Sequence, residues 1–219
     1  MYPPETGILA EMEKYAYEND VPIIRPAARR YLRWFLPTIR PRSIIELGTA
    51  IGFSAILMAE AALDARIITI ENYEPRIPIA RENIKKAGIS DRVQMIEGDA
   101  AEILKSISQK PQPADAKPDI STDIADMSFD FAFIDAAKAQ YETYLELILP
   151  FMHSGSVIVF DNVLAQDSGS TLDSRYAIER RDRTIHARMR KLLHSVTRDR
   201  RFVTDLSPVG DGILTITLT

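Results

Sequence analysis

The amino-acid sequence predicts an α/β fold, a mostly parallel sheet of seven strands with helices between them and an antiparallel hairpin at one edge. From residue 42 onward, short apolar runs alternate with longer helical patterns, which is typical of strand–helix–strand units. Most of these runs are continuously apolar, as expected for parallel strands buried on both faces. The last two runs are joined by SPVGDG, a turn-forming segment that favours an antiparallel hairpin.

Each element follows from its own composition and boundaries. Short runs rich in β-branched residues predict strands over 42–47, 66–70, 92–96, 129–134, 156–160, 201–206 and 212–219. The stretches between them have helical length and periodicity and predict helices over 51–63, 74–88, 99–107, 139–150 and 174–198. Gly88 marks the end of the second of these helices, because glycine commonly follows the last helical turn.

The 219 residues suit one domain. Residues 1–41 read as an N-terminal helical appendage, and residues 108–128 read as a surface loop because they contain three prolines and little apolar periodicity. The first twenty residues lack the pattern of a signal peptide, and no apolar run is long enough to span a bilayer. The sequence therefore predicts no membrane association.

The chain contains no cysteine, so disulfides and thiolate metal sites are excluded. This composition is compatible with a reducing cytoplasm, and a cytoplasmic location is expected. Basic residues are unevenly distributed. Residues 175–201 contain ten basic residues and three acids, and residues 25–42 contain basic residues but no acid. Clustered positive charge of this kind favours an anionic partner.

The first predicted strand runs into a glycine-containing turn, IIELGTAIGFS, at residues 44–54. A strand, a glycine turn and a helix start form a site for polar ligands. Gly48 and Gly52 have the spacing G-x-x-x-G rather than the dinucleotide pattern G-x-G-x-x-G, which disfavours a nicotinamide dehydrogenase. Glu46 lies two residues before the first glycine and suits a ligand with a positive group, such as the amino end of S-adenosylmethionine.

The next two strands also end on polar residues. Glu71 ends the second strand, where a carboxylate accepts hydrogen bonds from ribose hydroxyls. Asp99 and Ala100 follow the third strand, where a side chain and a backbone group could meet an adenine edge. An isolated acid at a strand end is usually a solvated cap. Because these residues and the glycine turn follow three successive strands, we expect a nucleoside site.

A second group of polar residues ends the fourth and fifth strands. Asp135 follows FDFAFI, and Asp161 and Asn162 follow SVIVF. The carboxyl ends of neighbouring parallel strands lie side by side, so these side chains are expected to converge. Two carboxylates and an amide oxygen favour Mg²⁺, with Mn²⁺ or Ca²⁺ as alternatives. The alternative interpretation is that both aspartates cap the helices that follow them.

Together these motifs resemble the cation-dependent O-methyltransferases of the catechol and caffeoyl-CoA type. The resemblance rests on ELGTAIGFS, TIEN, EGDA, FIDAAK and FDNVL in that order, and it extends from about residue 20 to the end of the chain. The glycine usual at the centre of the first loop is replaced by Ala50. Within that family, YAYENDVPII, the arginine-rich helix and PVGDG are most similar to bacterial tRNA 5-hydroxyuridine methyltransferases.

The resemblance implies a Rossmann-like, class I S-adenosylmethionine methyltransferase fold and a homodimer. It implies cofactor contacts at Ile24, Ser54, Glu71, Ala100 and Asp135, with Glu46 and Gly48 shaping the same pocket. It implies metal ligation by Asp135, Asp161 and Asn162. It casts Lys138 as the general base or the electrostatic partner of the substrate oxygen, so the catalytic residues it implies are Lys138 and Asp135.

Two substrate classes remain open, because 5-hydroxyuridine in tRNA and catechol-like or caffeoyl-CoA-like phenols both carry two neighbouring oxygens. The basic residues favour tRNA, whose phosphates would bind Arg25, Arg29, Arg30, Arg33 and the 175–201 cluster. Splayed bases would then stack on Tyr141, Tyr144 or Tyr176. A non-catalytic nucleoside- or RNA-binding module is disfavoured, because Asp135, Lys138, Asp161 and Asn162 occur together.

Overall fold

The structure is a computed structural model that describes residues 3–109, 128–164 and 183–219. Within these ranges the strands are β1 Ser43–Leu47, β2 Arg66–Glu71, β3 Val93–Glu97, β4 Phe129–Ile134, β5 Met152–Phe160, β6 Phe202–Ser207 and β7 Ile213–Leu218. The helices are α1 Gly7–Glu18, α2 Pro26–Ile39, α3 Phe53–Ala61, α4 Ile77–Lys86, α5 Ala100–Gln109, α6 Tyr141–Ile148 and α7 Arg183–Val196. Short 3₁₀ turns at Lys138–Gln140 and Leu149–Phe151 flank α6.

All seven strands form one sheet in the order β3-β2-β1-β4-β5-β7-β6. The first five are mutually parallel, and β7 is antiparallel to both β5 and β6. The predicted mostly parallel sheet with an antiparallel C-terminal hairpin is therefore confirmed, with β7 inserted between β5 and β6. From β1 the chain builds outward to β2 and β3, and it later returns to β4 on the other side. In such sheets, ligands bind in the crevice where the strand order reverses.

Helices cover both faces of the sheet, which explains why its central strands are apolar without alternation. Ile44, Phe131 and Phe133 pack into one core with α2 and α3. Ile45 and Ala132, which point to the opposite face, pack into a second core with α5, α6 and α7. Each of these side chains is at most 1% exposed.

The predicted N-terminal helical segment contains α1 and α2. Leu9 and Met12 of α1 and Leu32 and Leu36 of α2 are buried in the core that also contains Phe131. These two helices therefore form part of one face of the fold, and they place the segment between them, residues 19–25, beside the sheet. No described helix combines the length and apolar character needed to cross a membrane.

Several predicted boundaries move for identifiable reasons. The helix predicted over 51–63 begins at Phe53, because Gly52 precedes it with φ +88° and acts as its N-cap. The fifth strand begins at Met152, four residues before its predicted start. The start of the helix predicted over 174–198 lies outside the described residues, as does nearly all of the 108–128 loop.

Candidate active site

An open cleft of about 1550 Å³ lies at the carboxyl ends of β1, β2, β4 and β5. Most of the residues predicted as ligand contacts line it, namely Ile24, Gly48, Ser54, Glu71, Asp99, Ala100, Asp135, Lys138, Asp161 and Asn162. The nucleoside group and the oxygen-ligand group therefore share one cavity. Glu46 is different, because it is fully buried beneath the glycine loop and is not part of the cleft wall.

The glycine loop passes against the end of β4 so closely that position 48 has no space for a side chain. A Cβ on Gly48 would lie 2.2 Å from the carbonyl oxygen of Asp135, and φ at Gly48 is +99°. The Gly48 N–H donates to the carbonyl of Ile70 at 3.0 Å. Because glycine permits this approach, the part of the cleft that is predicted to bind a nucleoside directly adjoins Asp135.

Glu71 fastens the same loop from the end of β2. Its Oε2 accepts the Ala50 N–H at 2.7 Å, and its Oε1 accepts the N–H groups of Asn72 and Tyr73 at 3.0 and 2.8 Å. A carboxylate offers roughly four acceptor positions, so three backbone bonds leave capacity for one ligand hydroxyl. The predicted ribose contact is compatible with this geometry, but Glu71 also has a structural role.

Glu46 supports the loop through a chain of hydroxyl groups. Its Oε2 accepts a hydrogen bond from Thr69 Oγ1 at 2.5 Å, and that hydroxyl lies 2.5 Å from Thr49 Oγ1 in the loop. Its other oxygen is buried without a hydrogen-bond partner. Burial raises the pKa of Glu46 to about 7, although the neighbouring Ser54 and Thr69 hydroxyls lower it. Glu46 therefore affects the cleft indirectly, by supporting the glycine loop through Thr69 and Thr49.

Asp99 has the capping role that sequence reasoning weighed against ligand binding. Its Oδ1 accepts the Glu102 N–H at 3.0 Å, which satisfies a free donor in the first turn of α5. The side chain also lines the cleft, as does Ala100, the first residue of that helix. The two interpretations of Asp99 are therefore compatible.

The sheet brings Asp135, Asp161 and Asn162 together. The Asp135 N–H bonds to the carbonyl of Leu47 and the Asp161 N–H to that of Ile134, so the strand pairings continue to the acidic residues. Asp161 is 1% exposed, its Oδ1 accepts the Asn162 N–H at 2.8 Å, and its Oδ2 is buried without a partner. Burial and the negative charge of Asp135 raise the pKa of Asp161 to about 7.

This arrangement fits a divalent cation. Burial also raises the pKa of Asp135, while the charge of Lys138 opposes that increase. Two carboxyl groups that disfavour each other's ionisation, one with an unpaired buried oxygen, are stabilised by a bound positive charge. Among the described residues no group of three or more His, Cys, Asp or Glu forms a metal cluster. The candidate ligand set is therefore two carboxylates and the Asn162 amide, which are hard oxygen donors.

Two further residues support this centre in roles that the sequence did not predict. The Tyr141 hydroxyl donates to the Asp161 carbonyl at 2.9 Å, and the tyrosine ring packs against Phe160. Asp211 lies 3.5 Å from Asn162 Nδ2 and forms an ion pair with Arg25 at 2.7 Å. The signal for Asp211 was present in the PVGDG motif, which was interpreted as a turn and as part of the family resemblance but not as part of the site.

The prediction that Tyr141 and Tyr144 stack on substrate bases is wrong for these two residues. They are 1% and 3% exposed and belong to the core beneath α6. The rings are buried because α6 packs them against the sheet, which leaves too little exposed ring surface for a base to stack on, although Tyr144 borders the cleft. Tyr176 lies outside the described residues.

The basic residues expected to bind phosphates are largely paired within the protein where the structure describes them. Arg33 pairs with Glu5 and Glu60, and Arg29 is 4% exposed. In and around α7, Arg188 donates to the Ala139 carbonyl, Lys191 pairs with Glu142 and Arg201 pairs with Asp199. Sequence reasoning missed these partners because most of them lie far away along the chain. Residues 175–182 of the basic cluster are outside the described residues.

A family profile described as O-methyltransferase matches residues 2–218. A catechol O-methyltransferase of Niastella koreensis is 34% identical over 152 residues, which cover 68% of this chain and 61% of that protein. The catechol O-methyltransferase of Mycobacterium tuberculosis is 30% identical over 148 residues, 66% of this chain and 60% of that protein. The chain thus spans about 60% of the length of these two relatives.

Solved structures are also similar to this chain over nearly its whole length. The SAH-bound structure of a methyltransferase from Podospora anserina has a TM-score of 0.80 and 25% sequence identity. The alignment covers 100% of this chain and 90% of that one. A solved methyltransferase structure therefore has a similar fold over the whole length of this chain, which confirms the predicted fold.

Proposed function

The chain belongs to the O-methyltransferase family, and on that basis we propose that it transfers a methyl group from S-adenosylmethionine to a phenolic oxygen. We infer that the acceptor is a small catechol-like or caffeoyl-CoA-like phenol with a second oxygen beside the first. A divalent cation, with Mg²⁺ preferred, is proposed as the second cofactor.

The observation that carries this proposal is the position of Asp135. Gly48 of the predicted cofactor loop lies against the Asp135 backbone, and the Asp135 carboxyl interacts electrostatically with Asp161 and Lys138. A ligand on the loop side and an oxygen substrate on the carboxylate side would therefore be neighbours. Methyl transfer needs such proximity because the attacking oxygen and the leaving sulfur must align on the methyl carbon.

In the proposed reaction the substrate hydroxyl loses its proton and the oxygen bonds to the methyl carbon. The carbon–sulfur bond breaks, and its electron pair stays on sulfur as S-adenosylhomocysteine. Asp135, Asp161 and Asn162 would hold the cation, which supplies positive charge that favours the ionised substrate oxygen. Lys138 lines the same cleft, and we assign it one of two roles. Its neutral amine would accept the proton of the substrate hydroxyl, or its ammonium would stabilise the negative charge of the substrate oxygen.

The choice of a small phenol over tRNA rests on two points. Relatives with a matching sequence are named catechol O-methyltransferase. In addition, Arg25, Arg29 and Arg33 are paired with acids of this chain, which weakens the electrostatic basis for binding an RNA backbone. Methylation of 5-hydroxyuridine in tRNA stays a prediction from the sequence motifs and is the second arm of the test.

The test uses methyl-labelled S-adenosylmethionine with Mg²⁺ and three acceptors: catechol, caffeoyl-CoA, and tRNA that carries 5-hydroxyuridine. We expect label in catechol or caffeoyl-CoA, and we expect its loss when a chelator replaces Mg²⁺. The variant Asp161→Asn should lose most of this activity. The matched variant Asp64→Asn changes an exposed acid after α3 and should keep it.

Label found in tRNA alone would overturn the small-phenol assignment and support the prediction from the sequence. Activity that persists undiminished in chelator and in Asp161→Asn would overturn the cation assignment. The homodimer implied by the family resemblance is also a proposal, and multi-angle light scattering on the purified protein tests it.

A further inference from the structure

Arg29 of α2 is a buried cation that none of the steps above uses. It is 4% exposed, and its Nε donates to the carbonyl of Ile24 at 2.7 Å. Its Nη1 donates to Glu13 at 2.6 Å and lies 3.6 Å from Glu5. The guanidinium also lies over the ring of Phe53, 4.3 Å from the ring centroid.

A buried arginine is costly unless every side of the guanidinium has a partner. Here the partners come from separate parts of the N-terminal half of the chain. Glu13 is on α1, Ile24 is in the segment before α2, and Phe53 is the first residue of α3. One side chain thus ties the segment 19–25 to the helix that follows the glycine loop.

These contacts lie in the cleft wall. Arg29, Glu13, Ile24 and Phe53 all line the cavity. Ile24 and Ser54, which directly follows Phe53, are two of the residues expected to contact S-adenosylmethionine. Because Arg29 bonds to the Ile24 backbone and stacks on the Phe53 ring, it fixes the separation between these two parts of the wall.

We propose that Arg29 is a positioning residue for the cofactor, which holds Ile24 against the start of α3 so that the S-adenosylmethionine site is formed before the ligand arrives. This inference rests on the proposed function, because it takes the ligand to be S-adenosylmethionine. We expect Arg29 to have no effect on the proposed cation site, because its contacts are with α1, α3 and the segment 19–25.

The test compares Arg29→Met, which keeps the length but removes the charge and the hydrogen bonds, with Arg29→Lys, which keeps the charge. Arg92→Met is the control, because Arg92 is a partly buried arginine that donates to the carbonyls of Ala59, Ala62 and Ala65 at the far end of α3. Calorimetry measures the Kd of S-adenosylhomocysteine and of Mn²⁺, and kinetics with the accepted phenol separate KM from kcat.

We expect Arg29→Met to raise the Kd for S-adenosylhomocysteine and the KM for S-adenosylmethionine at least tenfold. Its kcat at saturating cofactor and its Kd for Mn²⁺ should stay within twofold of wild type. Arg29→Lys should fall between Arg29→Met and wild type. Arg92→Met should lower the melting temperature without a change in cofactor affinity, which separates positioning from loss of stability.

The inference would be overturned if both variants bound the cofactor with an affinity within twofold of wild type. For Arg29→Met this must hold in every soluble preparation. An equal loss in Arg92→Met would overturn it too, because the effect would then be one of general stability. If Arg29→Met does not fold, Arg29→Lys together with Glu13→Gln decides the question. Failure of the wild type to bind S-adenosylhomocysteine would instead overturn the proposed function.

Discussion

At the residue scale, positions 48 and 50 are two of the three positive-φ positions of the glycine loop, and different residues fill them. Gly48 has φ +99° and Ala50 has φ +48°. A left-handed backbone costs a residue with a Cβ roughly 1–2 kcal/mol, so glycine is the expected residue at both. Ala50 tolerates this conformation while its N–H is bonded to Glu71. A residue with a Cβ does not fit at position 48, because the carbonyl of Asp135 occupies the space that the Cβ would need.

Substitution of Gly48 by alanine tests this contact. Because the Cβ would overlap the Asp135 carbonyl, the loop and the end of β4 must separate, and we expect a loss of about 3 kcal/mol or more of unfolding free energy. Urea unfolding measures the loss. Gly88→Ala is the control, since Gly88 has φ +69° and a Cβ added there would meet no atom within 4 Å, and it should cost only about 1 kcal/mol. Equal costs for the two variants would contradict the close approach.

The stability of the metal-free protein should depend on pH through Asp161. Its pKa is about 7 in the folded protein, raised mainly by burial and then by Asp135, against an ordinary value of 3.8. The folded state therefore binds more protons between these values, and stability falls as pH rises from about 4 to about 7. The largest loss of unfolding free energy that Asp161 can cause in this way is on the order of 4 kcal/mol. Glu46, with a pKa of about 7, acts in the same direction.

We expect the melting temperature in chelator to be higher at pH 5.5 than at pH 8. Asp161→Asn should reduce this difference, because it removes one of the buried carboxyl groups whose pKa is raised. Addition of Mg²⁺ should stabilise the wild type more at pH 8 than at pH 5.5, since a cation binds the ionised carboxylates. A melting temperature that rises with pH in chelator, equally in both proteins, would rule out this account.

At the scale of elements, a hydrogen bond between two hydroxyl groups joins α2 to β7. The Tyr31 and Thr215 hydroxyls lie 2.6 Å apart, and Thr215 of β7 is 9% exposed. Tyr31→Phe leaves that hydroxyl without its partner, so we expect a loss of about 1 kcal/mol in unfolding free energy. Tyr17→Phe is the control because Tyr17 is 88% exposed, and it should leave the urea midpoint unchanged. An unchanged midpoint in Tyr31→Phe would show that the bond contributes nothing.

The order of elements was predictable from the sequence because buried parallel strands carry a local signal. Runs such as FDFAFI are apolar on both faces, and the structure buries both faces. The site residues at strand ends were predictable for the same reason, since parallel strands bring their carboxyl ends together. Helix boundaries were less predictable, because capping by Gly52 and the 3₁₀ turns around α6 depend on backbone geometry.

Contacts between distant elements could not be predicted from local patterns. The pairing of Arg29 with Glu13 spans 16 residues, and the pairing of Arg25 with Asp211 joins the two ends of the chain. In the sequence, the same arginines form an acid-free basic run. Only the fold shows that acids from other elements neutralise them, and this is why the charge pattern favoured RNA more than the structure does.

At the scale of the whole molecule, the cleft combines two sites whose supports are separate. The proposed cofactor side depends on Arg29, Gly48 and Glu71, which lie on α2, the glycine loop and β2. The proposed cation side depends on Asp161 and Asn162 after β5. Asp135 is the residue they share, because its backbone contacts the loop and the charge of its carboxyl group raises the pKa of Asp161.

This division predicts that each ligand can be lost without the other. A ligand at about 100 times its Kd stabilises the folded state by about 2.7 kcal/mol, which raises the melting temperature of a chain of this size by roughly 5–10 °C. We expect shifts of this order from S-adenosylhomocysteine and from Mg²⁺, measured separately by thermal unfolding. Asp161→Asn should lose the Mg²⁺ shift alone. Arg29→Met should reduce only the S-adenosylhomocysteine shift, by about half or more, because a tenfold higher Kd leaves about 1.4 kcal/mol at the same ligand concentration. Asp64→Asn should keep both shifts. Loss of both shifts in either single variant would mean that the two sites form one cooperative unit, with Asp135 as their common element.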